Sequence, residues 1–133
     1  MSEEQAIKPR LTSRGGRLSR SAEFERVYRH GRSNATRHFV LYVFDRPSGG
    51  DTRLGLSVSR KVGGAVQRNH VKRLLREAYA ELAEGAGDGH DLVVVARPGA
   101  AELAEREGLA GVRDALTELF GKAGLSDHDP ARP

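Results

Sequence analysis

Arg68, Asn69, Lys72, Arg73 and Arg76 stand close together with no acid among them. Side chains of these types bind anions: guanidinium and ammonium groups pair with phosphate, and an amide can donate to phosphate or to a base edge. On a helix that turns about 100° per residue, with Arg68 at zero, Lys72 falls at about 40°, Arg76 at about 80°, Asn69 at about 100° and Arg73 at about 140°. Leu74, Ala78, Val71, Leu82 and Leu75 fall between about 240° and 340° on the same wheel. One arc is therefore cationic and the opposite arc is apolar. From Arg60 to Arg76 the chain has six cations and no acid, Glu77 being the first. A merely solvated helix face mixes Glu with its cations to gain i,i+4 pairs. Unneutralised cations repel one another unless a polyanion binds them.

Arg60 and Lys61 precede Val62-Gly63-Gly64. Two glycines at a helix start can expose backbone N–H groups to a phosphate, or they can simply form a tight turn. No GxxxxGK[ST] nucleotide loop occurs. A protein-borne hydrolytic site would need a metal cluster, a nucleophile with its base, or two placed carboxylates. The five histidines, at positions 30, 38, 70, 90 and 128, make no HxxxH or HExxH pattern, and there is no cysteine. Asp45 and Asp51 flank a loop and read as turn residues. No catalytic residue and no metal ligand is expected in this chain.

The elements that must position the basic residues follow from periodicity. Ser21 reads as an N-cap with Glu23 in the first turn. Phe24, Val27 and Tyr28 share one helical face, and Gly31 suits the C′ position, giving a helix over 22–30. Residues 38–44 form a strand with Phe39, Leu41 and Val43 on one face and Val40, Tyr42 and Phe44 on the other. After the turn cluster 46–52, residues 53–60 alternate Leu54, Leu56 and Val58 with small residues, so that face allows a close approach. The two strands and short loop suggest an antiparallel hairpin. A helix over 65–83 carries the cationic arc. Residues 91–97 form a continuous apolar strand buried on both faces. Residues 100–108 suggest a short helix, and Val112, Leu116, Leu119 and Phe120 a last amphipathic one. Strand 53–60, helix 65–83 and strand 91–97 make a βαβ unit with a parallel pair. The fold class is α+β, a mixed α/β domain with one small sheet and helices, in the order α-β-β(-β)-α-β-α. The domain spans 18–123, between a flexible basic arm (1–17) and a disordered tail (124–133).

Composition agrees with this. The chain has 133 residues, 38% hydrophobic, with 16 glycines, a single-domain length with a thin core. No apolar run is long enough to span a membrane and no signal peptide is visible, so a cytoplasmic location is expected. The net charge of +4 is an average. Residues 1–79 hold 17 Lys and Arg against 7 Asp and Glu, and residues 80–133 hold 5 against 11. Basic character concentrated in one part of a chain points to a polyanionic partner.

The stretch SRKVGGAVQRNHVKRLLREAY (59–79) closely resembles the signature of the bacterial ribonuclease P protein subunit, a strand that ends in a Ser and basic pair and leads into a helix reading RNRxKRxxR. SAEFERVYRHG (21–31), RHFVLYVFDRP (37–47), RLGLSVSRK (53–61) and DLVVVARP (91–98) resemble other parts of that family in the same order, so the resemblance covers about residues 9–122. The third motif position is His70, where the family commonly has Arg. At about 200° on the wheel, it flanks the main arc.

The resemblance implies a ribonucleoprotein in which a catalytic RNA carries the active site and its magnesium ions. That holoenzyme, an endoribonuclease, removes the 5′ leader from precursor tRNA. It implies contact of Arg68, Asn69, Lys72, Arg73 and Arg76 with the RNA subunit. It also implies a cleft for the single-stranded leader formed by Phe24, Tyr28 and Tyr42 and flanked by Arg60 and Lys61, with Arg97 a weaker candidate. A left-handed βαβ crossover, no membrane and no required protein partner belong to the same expectation. Aromatic faces accept any base by stacking, which suits leaders of varied sequence. A structural RNA-binding module such as a ribosomal protein is the alternative, with the 59–79 motif discriminating against it. A DNA-recognition helix lacks the preceding short helix and turn it would need.

Overall fold

A computed structural model describes residues 17–125. Its elements are α1 (Ser21–His30), β1 (Arg32–Ala35), β2 (Phe39–Asp45), β3 (Arg53–Ser57), α2 (Ala65–Ala86), β4 (His90–Ala96) and α3 (Ala100–Ala123). They build an α+β domain on one mixed four-stranded sheet in the order β1-β2-β4-β3. The outer parts of the expected basic arm and disordered tail lie beyond the described residues. The inner ends of both lie against the sheet and core: Arg17 bridges to Leu54, and Leu125 is buried.

The parallel pairing of β3 with β4 matches the βαβ reading. The expected hairpin between strands 38–44 and 53–60 is corrected. β2 pairs with β4 antiparallel, from Phe39↔Ala96 to Asp45↔His90, so β4 lies between β2 and β3. The reason is burial. β4 carries Leu92, Val93 and Val94 at 0% exposure, and a strand apolar on both faces takes an interior position. The 46–52 loop is bonded to the segment that leads into β4. Arg46 N–H donates to Gly89 O (2.8 Å), Gly89 N–H to Gly50 O (2.6 Å) and Thr52 Oγ1–H to Gly87 O (2.6 Å). The further strand that the reading left optional is β1, a polar edge strand paired antiparallel with β2.

The two faces of the sheet differ. Phe39, Leu41, Val43, Leu54, Leu92, Val94 and Ala96 join buried residues of α2 and α3 in the main core. On the other face, α1 rests on a small cluster in which only Leu18, Val27 and Val93 are fully buried, with Phe24, Tyr42, Phe44 and Val95 at its margin. This face is thus only partly covered.

Helix ends depart from expectation in informative ways. Arg20, not Ser21, is the N-cap of α1. Glu23 Oε1 accepts from the backbone N–H of Ser19 and of Arg20, both at 3.3 Å, so the first-turn acid does the capping. Gly31 ends α1 with φ −86° rather than in the left-handed region. Helix α2 runs three residues beyond its expected end. α3 is two helical segments meeting at Gly108 (φ 61°, ψ −149°), which unites the two helical stretches read in the sequence.

Candidate nucleic-acid interface

Helix α2 separates its two arcs as the wheel requires. Val71, Leu74, Leu75, Ala78 and Tyr79 are buried, while Arg68, Asn69, Lys72, Arg73 and Arg76 all keep solvent exposure. The apolar side fixes the roll of the helix, and the cations are carried outward as a consequence. Among the described residues, Arg68, Lys72 and Arg76 form no ion pair with a carboxylate, nor do Arg60 and Lys61. Arg73 reaches Glu77 at 3.7 Å and donates from NH2 to His70 Nδ1 at 3.0 Å. Because guanidinium can only donate, His70 accepts at that nitrogen. His70 is a helix-flank residue that orients Arg73.

Arg17 was assigned to the arm, and the structure adds it to this surface. Its segment runs along β3, with Leu18 N–H donating to Leu54 O at 2.9 Å. Arg17, Lys72 and Arg76 line one small pocket with Leu18, Ser19, Leu54 and Leu56. Burial, and then the nearby Arg17 charge, lower the Arg76 pKa from its ordinary value. Two guanidinium groups converge on one pocket, a placement that favours an anion. No periodicity signalled Arg17, since a lone cation before a helix has no pattern to stand out from.

The two glycines before α2 do not offer free N–H groups. Gly63 N–H donates to Arg60 O (3.2 Å), and Gly64 N–H to Gln67 Oε1 (3.0 Å). The tight-turn reading holds there. Arg60 and Lys61 are exposed on this turn past the C-terminal end of β3.

The three aromatic residues come together. Tyr28 and Tyr42 meet edge to face with ring centroids 4.9 Å apart, and Phe24 and Tyr28 lie 6.3 Å apart. Tyr28 is 41% exposed, whereas Phe24 and Tyr42 are half-buried. Phe24 also explains the small-residue face of β3: a Cβ at Gly55 would lie 2.7 Å from Phe24 Cζ. The close approach foreseen at that strand is made by a side chain of this protein. Ser19, Ser21, Phe24, Glu25, Tyr28 and Arg29 line a broad open depression, and Ser19 also lines the Arg17–Lys72–Arg76 pocket. The aromatic and cationic surfaces therefore adjoin around the β3 edge. No described hydrogen bond, ion pair or ring contact joins Arg60 or Lys61 to the aromatic trio. Arg97 is turned aside, donating from NH1 to Thr36 O at 3.2 Å.

A charge cluster supports this cleft from beneath. Asp91 is fully buried and accepts from Arg53 Nε (3.0 Å) and NH2 (3.0 Å), from Arg26 NH2 (3.2 Å) and from Arg46. Burial raises the Asp91 carboxyl, but Arg53 and Arg46 outweigh it and hold the pKa below its ordinary value. Asp45, read as a turn residue, lies at the end of β2 and pairs with Arg32 (2.8 Å) and His90 Nδ1 (2.6 Å). Four of the arginines behind the basic count thus serve the fold.

The family model described as Ribonuclease P matches residues 13–124. The chain is similar to a "Ribonuclease P protein component" of Geobacillus thermodenitrificans, 44% identical over 108 residues, covering 81% of this chain and 86% of the relative. A Bacillus cereus protein of the same description is 39% identical over 109 residues, covering 82% and 91%. Among solved structures, a Staphylococcus aureus RNase P protein mutant with defective mRNA degradation activity aligns with TM-score 0.78 at 30% identity, covering 92% of this chain and 99% of the other. The Thermotoga maritima RNase P protein aligns with TM-score 0.70 at 32% identity, covering 77% and 93%.

Proposed function

The chain belongs to the ribonuclease P protein family, and from that premise we propose how its two adjoining surfaces divide the work of the holoenzyme. Its function is that of the protein subunit of ribonuclease P, the endoribonuclease of tRNA 5′ maturation, and its partner is the RNase P RNA. The α2 arc of Arg68, Asn69, Lys72, Arg73 and Arg76 docks on that RNA. Phe24, Tyr28 and Tyr42 stack on bases of the precursor tRNA 5′ leader, and Arg60 and Lys61 hold its phosphates. One observation carries this division: the half-exposed cations Arg68, Lys72 and Arg76 of α2, without acid partners among the described residues, adjoin an aromatic cleft on a partly covered sheet face. Arg residues suit phosphate by bidentate donation, and aromatic rings accept successive bases with little sequence preference.

Bond cleavage belongs to the RNA in this proposal. Among the described residues no group of three or more His, Asp or Glu side chains is placed to hold a metal ion. Magnesium would be held mainly by the RNA and the substrate, whose phosphates supply the oxygen ligands it prefers. Among the described residues no helix is long and apolar enough to cross a membrane. We assign the protein to the cytoplasm, where precursor tRNA is processed.

The test is reconstitution with a bacterial RNase P RNA and a precursor tRNA. The protein should lower the magnesium concentration needed for cleavage at the mature 5′ end. An unchanged requirement, with protein bound to the RNA, would contradict the proposal.

A further inference from the structure

We propose that Asp91, held by three guanidinium groups, is a positioning residue for leader recognition: through two of them, Arg26 directly and Arg53 by way of Glu23, it fixes α1, and so Phe24 and Tyr28, against Tyr42. The proposal rests on the leader reading above. The three arginines come from three places in the fold, Arg26 from α1, Arg46 from the loop after β2, and Arg53 from β3. Arg53 takes both Asp91 oxygens at 3.0 Å and also donates from NH1 to Glu23 Oε2 at 2.9 Å. Glu23 in turn caps the start of α1. Helix α1 is thus tied to the base of β4 at two points: at its first turn through Glu23 and Arg53, and one turn later through Arg26.

The apolar footing of α1 is small, with Leu18, Val27 and Val93 alone fully buried. Apolar contact is non-directional, so it leaves the azimuth and depth of a short helix loosely set. Charge-assisted, bidentate bonds are directional and supply the missing constraint. Arg26 adds to this by lying over the Phe44 ring, 5.4 Å from its centroid. Asp91 has no exposed surface, so it cannot touch RNA and can act only through the helix it holds.

Charge sign separates this role from an electrostatic one. Asp91 and Glu23 are acids close to a surface proposed to hold a polyanion. By charge alone, neutralising either would strengthen leader binding. Positioning requires the opposite.

The experiment uses reconstituted holoenzyme with Asp91→Asn and Glu23→Gln, measuring Kd for precursor tRNA with a leader and for a leaderless counterpart. In parallel, Tyr28–Tyr42 ring cross-relaxation is read by NMR in the full-length protein. Expected are a leader-bearing Kd raised about 3–10-fold, the scale of a partly lost base stack, an unchanged leaderless Kd, and a weakened ring signal. Equal or tighter leader binding with an intact ring signal in both variants would overturn the proposal. Should Asp91→Asn fail to fold, Glu23→Gln decides, since its amide oxygen still caps α1 and only the ion pair with Arg53 is lost. If the unmodified holoenzyme does not distinguish the two substrates, the leader reading falls. The ring signal alone then decides the positioning claim: weakened supports it, unchanged refutes it.

Discussion

Arg68 and Lys72 offer the simplest test of the proposed RNA contact. Both point away from the buried arc of α2, so Arg68→Ala and Lys72→Ala should leave the helical circular dichroism signal intact. Each should weaken RNA-subunit binding and reduce its salt slope by about 1, measured by titration at several salt concentrations. Loss of the folded signal would place these side chains in the core instead. Tyr28→Ala should cost about 1–3 kcal/mol of leader affinity, the usual worth of one base stack, with RNA-subunit affinity unchanged. Asp91 is of another kind. Removing a buried carboxylate leaves Arg26 and Arg46 without a carboxylate partner and Arg53 with Glu23 alone, and Asp91→Ala should cost about 3–5 kcal/mol of stability, read by denaturant unfolding. The cationic arc was legible from the sequence because its spacing repeats. Asp91 was not, because a single acid at the head of an apolar strand matches no period. Its partners, Arg26, Arg46 and Arg53, are separated along the chain and meet only when the strands pair.

At the scale of elements, the helices and strand faces were read well because burial imposes their periods. Strand order was not. Two apolar strands joined by a short loop look like a hairpin, and only the stronger claim of β4 on the sheet interior separates β2 from β3. β1 has no apolar alternation at all, and pairing at the edge is what makes it a strand. The docking of α1 on β3 depends on Gly55. A Gly55→Ala methyl would force Phe24 aside, so it should destabilise the protein by about 1–3 kcal/mol and weaken leader binding, as thermal unfolding and the leader Kd can check. The ion pairs under α1 and β2 predict a pH dependence. Burial raises Glu23, Asp45 and Asp91, but their hydrogen bonds and arginine or histidine partners hold all three below their ordinary values. A depressed carboxylate stabilises the fold fully above its unfolded pKa and loses that contribution as pH falls through its folded value. Tm should therefore be insensitive to these groups near neutrality and fall below about pH 4. Asp91→Asn should lower Tm at neutral pH and flatten that acid limb.

Across the whole molecule, a modest net charge conceals a division of labour. Part of the basic count pairs with this protein's own acids, Asp91 and Glu23 beneath α1 and Asp45 at the end of β2. Arg17, Lys72 and Arg76 adjoin the aromatic cleft around the β3 edge, where Ser19 borders both surfaces. In the proposed assignment one small domain touches the RNA subunit and the leader together, and its RNA affinity should fall log-linearly with salt. The most direct measurement of this account is the Kd ratio between leaderless and leader-bearing precursor tRNA, for the RNA subunit alone and for the reconstituted holoenzyme. The protein should widen the ratio in favour of the leader-bearing substrate, and Tyr28→Ala should narrow it again. An equal ratio with and without the protein would contradict the assignment of the cleft to the leader.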